Sequence, residues 1–442
     1  MNLLESLAAD RYRGYAYAYP HKTAYGPLDP AVPLESLWQN EPKDALTLYV
    51  HVPICEMRCG FCNLFTLRAE PEEFESAYLA ALERQAARVL AAVGHARFGS
   101  AALGGGTPTQ LSVAGLRRVL KILERAGAAP REVSVSVETS PRTADEARLD
   151  LLRDAGVQRI SIGVQSFDDR DTRAIGRPQH RSWVDGALAR IRDRAFPVLN
   201  VDLIYGGEGQ TPARLLESVG AALVYAPEEI YLYPLYVRPR TGLAQKGRLV
   251  RSDGRVALYR AARDRLLDAG YEQVSMRFFR RAGARLHAER AYTCCQEDGT
   301  VGLGCGARSY TRALHYAFEW AADQATIRDI LRAYVDTPAE GFATARHGAW
   351  VTPDEQRRRY VIKSVLRVEG LSRASYRGFF GTDAVDDLPE IAALAAAGLM
   401  TVDADAVRPT TAGLELSDAI GPYLYSPAVR GRMALHEGAA AC

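Results

Sequence analysis

The chain has 442 residues, 48% of them hydrophobic, enough to bury one large core with a smaller one beside it, and this excludes a disordered polypeptide. Its 55 Lys and Arg are nearly balanced by 53 Asp and Glu, for a formal charge of +2, which excludes a global pull toward nucleic acid or a membrane surface. The start "MNLLESLAADRYRG" has no basic segment ahead of an apolar one, and no apolar run reaches the ~18 residues needed to span a bilayer, so a cytoplasmic location is expected.

An N-terminal arm is expected over 1–45. From residue 46 onward, apolar β-rich runs follow one another: "LTLYVHV" (46–52), "FGSAALGG" (98–105), "VSVSVET" (133–139), "RISIGVQ" (159–165), "PVLNVDLIYG" (197–206) and "EIYLYPLY" (229–236). Between them, "EEFESAYLAALERQAARVLAAV" (72–93), "SVAGLRRVLKILERAG" (112–127) and "ARLLESVGAALVYA" (213–226) repeat apolar residues at intervals of three and four, as helices do. The alternation predicts six parallel strands joined by helices over 46–240, and the near-continuous apolar strands fit a sheet covered by those helices. After a helix near 253–269 the regularity stops in a loop-rich stretch (276–312), within an extension over 241–345. The last part, 346–442, reads as short helices with a polar strand hairpin, a winged-helix-type domain whose mixed charge offers no basic face for nucleic acid. The tail "HEGAAAC" is expected to be disordered.

Three of the seven cysteines fall within "HVPICEMRCGFCNL", on the loop after the first strand. Clustered thiols in a cytosolic chain bind metal or carry redox chemistry more often than they form disulfides. A structural zinc site takes four ligands, usually as two separated pairs. Three thiolates, Cys55, Cys59 and Cys62, suit three irons of a [4Fe-4S] cube and leave the fourth iron open. Glycines in "GGGTPT", after the second strand, let backbone approach a ligand closely. Glu138 and Asp202 end the third and fifth strands, where parallel βα folds place ligand groups, and suit an ammonium or a ribose diol. Gln165 and Arg177 follow the fourth strand, where a guanidinium suits a carboxylate.

The C-x3-C-x2-C spacing after a first strand resembles that of the radical S-adenosylmethionine (SAM) enzymes. Together with "GGGTPT", "SIGVQSF", "IGRPQH", "DLIYG" and "GLGCGARSY", the chain resembles their oxygen-independent coproporphyrinogen III oxidase (HemN-like) branch over nearly its whole length. The resemblance implies an α/β fold, a partial (β/α)6 barrel with a C-terminal helical winged-helix-like domain over its mouth. It implies a [4Fe-4S] cluster, SAM cleaved reductively to a 5′-deoxyadenosyl radical, and an external low-potential donor of flavodoxin or ferredoxin type. It also implies two SAM molecules. Tyr49, Phe61, Gly105 and Glu138 fall with the first, and Gly106, Thr107, Gln165, Arg177, Asp202 and Tyr236 with the second.

Two departures bear on the reaction. The oxidases proper carry a further cysteine where this chain has Leu64, and the heme chaperones of the branch carry a His-Asn-x-x-Tyr-Trp pattern where this chain reads "HAERAYTCCQ" (287–296). Radical-driven carbon transfer to an unknown, anionic small molecule is therefore the expected reaction, with coproporphyrinogen oxidation and heme carriage as alternatives. Cys295 and His51 are the candidate catalytic residues; Cys294 and Cys305 are further thiols for an acid, a hydrogen-atom donor or a covalent relay, and His51 is equally a structural histidine. Arg238, Arg240, Arg277, Arg280 and Arg281 are candidates for substrate carboxylates or phosphates, or else are solvated.

Overall fold

The computed structural model describes residues 2–68, 72–247, 254–284, 296–321 and 323–439. Its frame is six parallel strands, each paired with the next in chain order: β1 (Leu46–Val52), β2 (Phe98–Gly105), β3 (Ser134–Thr139), β4 (Arg159–Gln165), β5 (Val198–Tyr205) and β6 (Glu229–Pro234). The crossovers are α1 (Glu72–Val93), α2 (Val113–Arg125), α3 (Glu146–Ala155), α4 (Arg181–Asp193) and α5 (Pro212–Val224). Right-handed crossovers between successive neighbours put every helix on one side, so the sheet curls into an open barrel and the strand C-termini share one mouth.

The local chemistry is plain in α2 and α3. Ser112 caps α2 by accepting from the Gly115 N–H, and Leu116, Val119, Leu120 and Leu123 bury one stripe. Asp145 caps the start of α3, and Gly156, at φ +91°, ends it. Leu48, Leu103, Val137, Ile162, Val201 and Leu232, one from each strand, meet in a single core. A second core joins Leu7, Ala16, Tyr19 and Ala24 of the N-terminal arm to Val361, Ile362 and Ile420, so the arm packs into the C-terminal domain. That domain carries the expected hairpin, Met400–Val402 with Ala406–Pro409, beside Leu371–Ser372.

Two expectations are corrected. Among the described residues, the stretch 276–312 holds three short strands, and the sheet continues past both edges of the barrel to thirteen strands. Phe278–Arg281 runs antiparallel to β6 with Tyr271–Gln273 outside it. On the other edge Thr300–Leu303 runs parallel to β1, followed by antiparallel Arg308–Tyr310, Leu314–Ala317, Thr344–Trp350 and Gly26–Pro33. Strands of three or four residues are too short to show a period, and neighbouring ladders hold them in place. The chain's last stretch is also ordered further than expected: the helix Pro427–Ala439 starts where Ser426 Oγ accepts from the Val429 N–H and buries Val429. No helix among the described residues is long and apolar enough to cross a membrane.

Candidate active site

The cysteine loop leaves β1 at Val52 and is fixed by backbone at both ends. Leu67 N–H donates to Pro53 O (2.7 Å), Gly106 N–H to Val52 O (2.7 Å) and Thr107 N–H to Ile54 O (2.8 Å). A short ladder of Ile54–Cys55 with Leu67–Arg68 closes the loop on itself. Its middle is held by an unusual approach of two backbones. Gly60 N–H donates to Gly176 O (3.0 Å), and a Cβ on Gly176, at φ +71°, would lie 2.7 Å from Gly60 Cα. The glycines of "CGFC" and "IGRPQH" thus serve one contact.

Cys59 is buried, while Cys55 and Cys62 are partly open to the cavity. Each thiol has one polar neighbour: Thr107 Oγ1 donates to Cys55 Sγ (3.6 Å), Arg177 Nη1 to Cys59 Sγ (3.3 Å), and Thr66 Oγ1 lies 3.8 Å from Cys62 Sγ. Burial pushes the Cys55 thiol up to about 12 and raises that of Cys59, although Arg177 opposes the rise. Such thiols give up their protons only to a strong cation. Among the described residues no three His, Cys, Asp or Glu side chains converge on a single ion, which fits a cluster whose irons each take one thiolate.

Around the loop stand the strand ends. Glu138 opens onto the water of the cavity while protein encloses its other sides; burial first and Asp202 second push its carboxyl up to about 7, against the N–H that Gly105 donates (3.2 Å). Burial likewise pushes Asp202 up to about 6, opposed by the Asn200 side chain, which donates to its Oδ1 (2.8 Å) and to Ser161 Oγ (2.8 Å). Gln165 is buried at φ +68°, a left-handed conformation that non-glycine residues adopt where surrounding structure imposes it, often at functional sites. Arg177 Nη2 donates to Gly163 O (2.8 Å), so the side chain that meets Cys59 is aimed by β4.

His51 is 4% exposed. Its Nε2 donates to Phe65 O (2.8 Å), which leaves Nδ1 to accept from the Tyr49 hydroxyl (3.2 Å). Burial pushes the imidazole down to about 4, so it is neutral at physiological pH. A Cβ on Gly105 or on Gly306 would strike this ring, so His51 is the spacer between the glycine loop and the "GLGCG" turn.

A cavity of about 1260 Å3 is lined by Tyr49, His51, Cys55, Cys59, Phe61, Cys62, Gly105, Gly106, Thr107, Glu138, Gln165, Arg177, Asp202 and Tyr236. Phe61 also packs against Ile175, Ile204, Leu235 and Leu243. Tyr236 has its hydroxyl engaged by Asp418 and Arg277. Cys294 and Cys295 lie outside the described residues. Cys305 is fully buried in the main core, which removes it from substrate chemistry. Of the five arginines, Arg277, Arg280 and Arg281 are paired with Asp418, Glu272 and Glu228, and only Arg238 and Arg240 line the cavity. The sequence reading missed Tyr17, Lys22, Arg308 and Trp320, which also line the cavity; "YAYPHKTAY" and "GLGCGARSY" contain the first three, with no spacing that marks them as neighbours.

A model described as the Radical SAM superfamily matches residues 49–222. The oxygen-independent coproporphyrinogen III oxidase of Cereibacter sphaeroides is 30% identical over 343 residues, 75% of this chain and 75% of its own. That of Paracoccus denitrificans is 34% identical over 280 residues, 60% of this chain and 62% of its own length. The heme chaperone HemW of Bacillus subtilis is 28% identical over 85% of this chain and 98% of its own. The solved structure of coproporphyrinogen III oxidase (HemN) from Escherichia coli shares the fold, with a TM-score of 0.76 over 91% of this chain and 96% of that one, at 24% identity. The chain therefore belongs to the HemN-like, oxygen-independent coproporphyrinogen III oxidase family of radical SAM enzymes, and its cofactors are a [4Fe-4S] cluster and SAM.

Proposed function

We propose that the enzyme oxidatively decarboxylates acid side chains of a tetrapyrrole-class substrate. One observation carries this reading: a cavity of about 1260 Å3 is lined both by the cysteine loop and by Lys22, Arg238, Arg308 and Arg430, room and charge for a large polyanion. The names of the relatives point the same way. They give no support to carbon transfer, the reaction that the departures in sequence suggested. Leu64, 47% exposed, lines the cavity, so a decarboxylase built on this chain works without a thiol at that point.

In this reading Cys55, Cys59 and Cys62 hold the cluster, and Arg177 offsets thiolate charge at Cys59. When bound and reduced by a low-potential one-electron donor, the cluster and SAM together supply a carbon radical that abstracts a hydrogen atom. Glu138 takes a cationic or diol group of the first SAM, while Gly105 lets it lie against backbone. A second SAM would lie against Gly106, Thr107, Gln165, Arg177 and Asp202, by the ring of Tyr236. His51 positions Tyr49 and the glycine loop and holds no mobile proton, because its Nε2–H is committed to Phe65 O. The N-terminal arm and the C-terminal helix both line the cavity. Each propionate then loses a hydrogen atom, carbon dioxide and one electron to leave a vinyl group, the electron passing to an external one-electron acceptor.

Anaerobic incubation of the reconstituted protein with SAM, dithionite and coproporphyrinogen III is expected to yield 5′-deoxyadenosine together with vinyl-bearing porphyrin, read by mass spectrometry. 5′-Deoxyadenosine with S-adenosylhomocysteine and an intact porphyrin would overturn the reading in favour of carbon transfer. A hemin Soret band without SAM cleavage would favour a heme carrier.

A further inference from the structure

The cavity lining beside the cysteine loop carries two cations that hold no part of the cluster. Lys22 sits in the single turn Lys22–Ala24 of the N-terminal arm, and Arg308 in the strand Arg308–Tyr310 of the extended sheet. Lys22 is 9% exposed; its Nζ donates to Asn63 O (3.3 Å), just past the last cysteine of the loop, and lies 4.0 Å from the centre of the Trp320 ring. Arg308 Nη1 donates to Tyr17 Oη (2.7 Å), with its guanidinium 5.0 Å from the centre of that ring. Both side chains line the cavity.

Neither forms an ion pair among the described residues. The side chains that act most on Arg308 are Tyr17, Tyr310 and Tyr25, and those on Lys22 are Tyr17, Arg308, Cys62 and Arg238; no carboxylate stands among them. Burial accordingly pushes the Lys22 ammonium down to about 8. Arg308 is half-buried, and the arginines buried more deeply are paired, Arg277 with Asp418 and Arg359 with Glu297. The acids on the cavity wall stand elsewhere: Asp10 pairs with Arg13 (3.8 Å), Glu56 with Arg142 (3.3 Å), and Glu138 and Asp202 lie within β3 and β5. Two neighbouring cations under cover of protein, without a counter-charge, repel one another and are poorly solvated, and an anionic ligand relieves both penalties.

We infer that Lys22 and Arg308, with the Tyr17 hydroxyl between them, form a subsite for one carboxylate of the substrate. Arg308 offers a planar fork to two oxygens and Lys22 a point charge, a pairing that suits a carboxylate. The substrate assignment rests on the reading of the cavity above. The same chemistry is present in the methionyl carboxylate of SAM, for which Arg177, beside Cys59, already offers a guanidinium; the test below separates the two sources.

The test uses the reconstituted holoenzyme and a small tricarboxylate, tricarballylate, with Trp320 as reporter and W320F to identify its signal. The expected result is a saturable change in Trp320 emission in the wild type, absent with the neutral triamide, and weakened about fivefold or more in both R308Q and K22M. R308K, which keeps the charge and loses the fork, should fall between. If R308Q does not fold, K22M decides the case. No saturable change in the wild type, or a shift of less than about fivefold in K22M, overturns the subsite. Loss of the wild-type response on saturation with SAM overturns the substrate assignment and gives the subsite to SAM. Porphyrin turnover plays no part in this readout, so failure of the decarboxylase reading and failure of the subsite are separate results.

Discussion

The two walls of the cavity are built in opposite ways. On the strand-end side the parts are locked by backbone: Gly60 against Gly176, Gly106 to Val52, Thr107 to Ile54. On the other side, segments far apart in sequence are joined by side chains: Arg277 and Tyr236 to Asp418, the Tyr19 hydroxyl to Glu355, Lys363 Nζ to Tyr17 O (2.6 Å). Where the backbones themselves touch, at Gly60, Gly106 and Gly176, a side chain has no room, whereas a wall of side chains can be respecified residue by residue. The first arrangement suits a cofactor site whose chemistry is fixed, and the second a substrate wall.

The largest effect should come from the strand-end wall itself. Cys59→Ala should reduce reconstituted iron from about four per chain to near zero, with SAM cleavage lost; a variant that kept its full cluster would sink the ligand assignment. Next comes the side-chain wall. Arg277 and Asp418 are 4% and 1% exposed, so Asp418→Asn leaves a buried guanidinium without its counter-charge. The expected cost is ~3–5 kcal/mol in denaturant unfolding. Arg332→Ala, which breaks a pair 66% and 74% exposed, should stay within ~0.5 kcal/mol. Equal costs would erase the contrast between locked and solvated pairs.

The two walls also differ in how legible they were. All six barrel strands and the helices α1, α2 and α5 lie within two residues of where the sequence puts them, because strands covered on both faces read as apolar runs and helices of thirteen or more residues show their period. The strand-end residues were legible for the same reason: a parallel sheet fixes where its C-terminal ends meet. Nothing local marks Lys22 and Arg308 as neighbours, since the strand carrying Arg308 has three residues and the turn carrying Lys22 has three. Their approach is set by sheet edges and by the arm's burial in the C-terminal core. That Tyr236 and Arg277 share Asp418 was not legible either, because that partner is more than a hundred residues away in sequence.

A glycine pair sharpens the comparison further. Gly176 and Gly398 have the same φ of +71°, but a Cβ on Gly176 would meet backbone at 2.7 Å while one on Gly398 would meet nothing within 4 Å. Gly398→Ala should therefore cost only the ~1 kcal/mol of its backbone conformation. Gly176→Ala should cost ~1–3 kcal/mol and also lower iron uptake, because Gly60, which must move, lies between Cys59 and Cys62. If both variants took up iron alike, the glycine contact would not be what shapes the loop.

The smallest effect concerns the strand-end acids. Burial first, and for Glu138 then the charge of Asp202, raise the two carboxyls to about 7 and about 6. Folding therefore favours their protonated forms. The stability this contributes is complete below the usual carboxylate range near ~4 and is lost as pH rises through about 6 and then about 7. The melting temperature of the ligand-free protein should fall across that window, and less steeply in Glu138→Gln. SAM, which brings positive charge to the same acids, should bind the wild type more tightly as the pH rises through about 7, with a flatter profile in the variant. A wild-type melting temperature that does not change across the window would mean that water in the cavity screens Glu138, whose carboxylate faces it directly. The strand-end wall would then be prepared for the cofactor by shape rather than by charge.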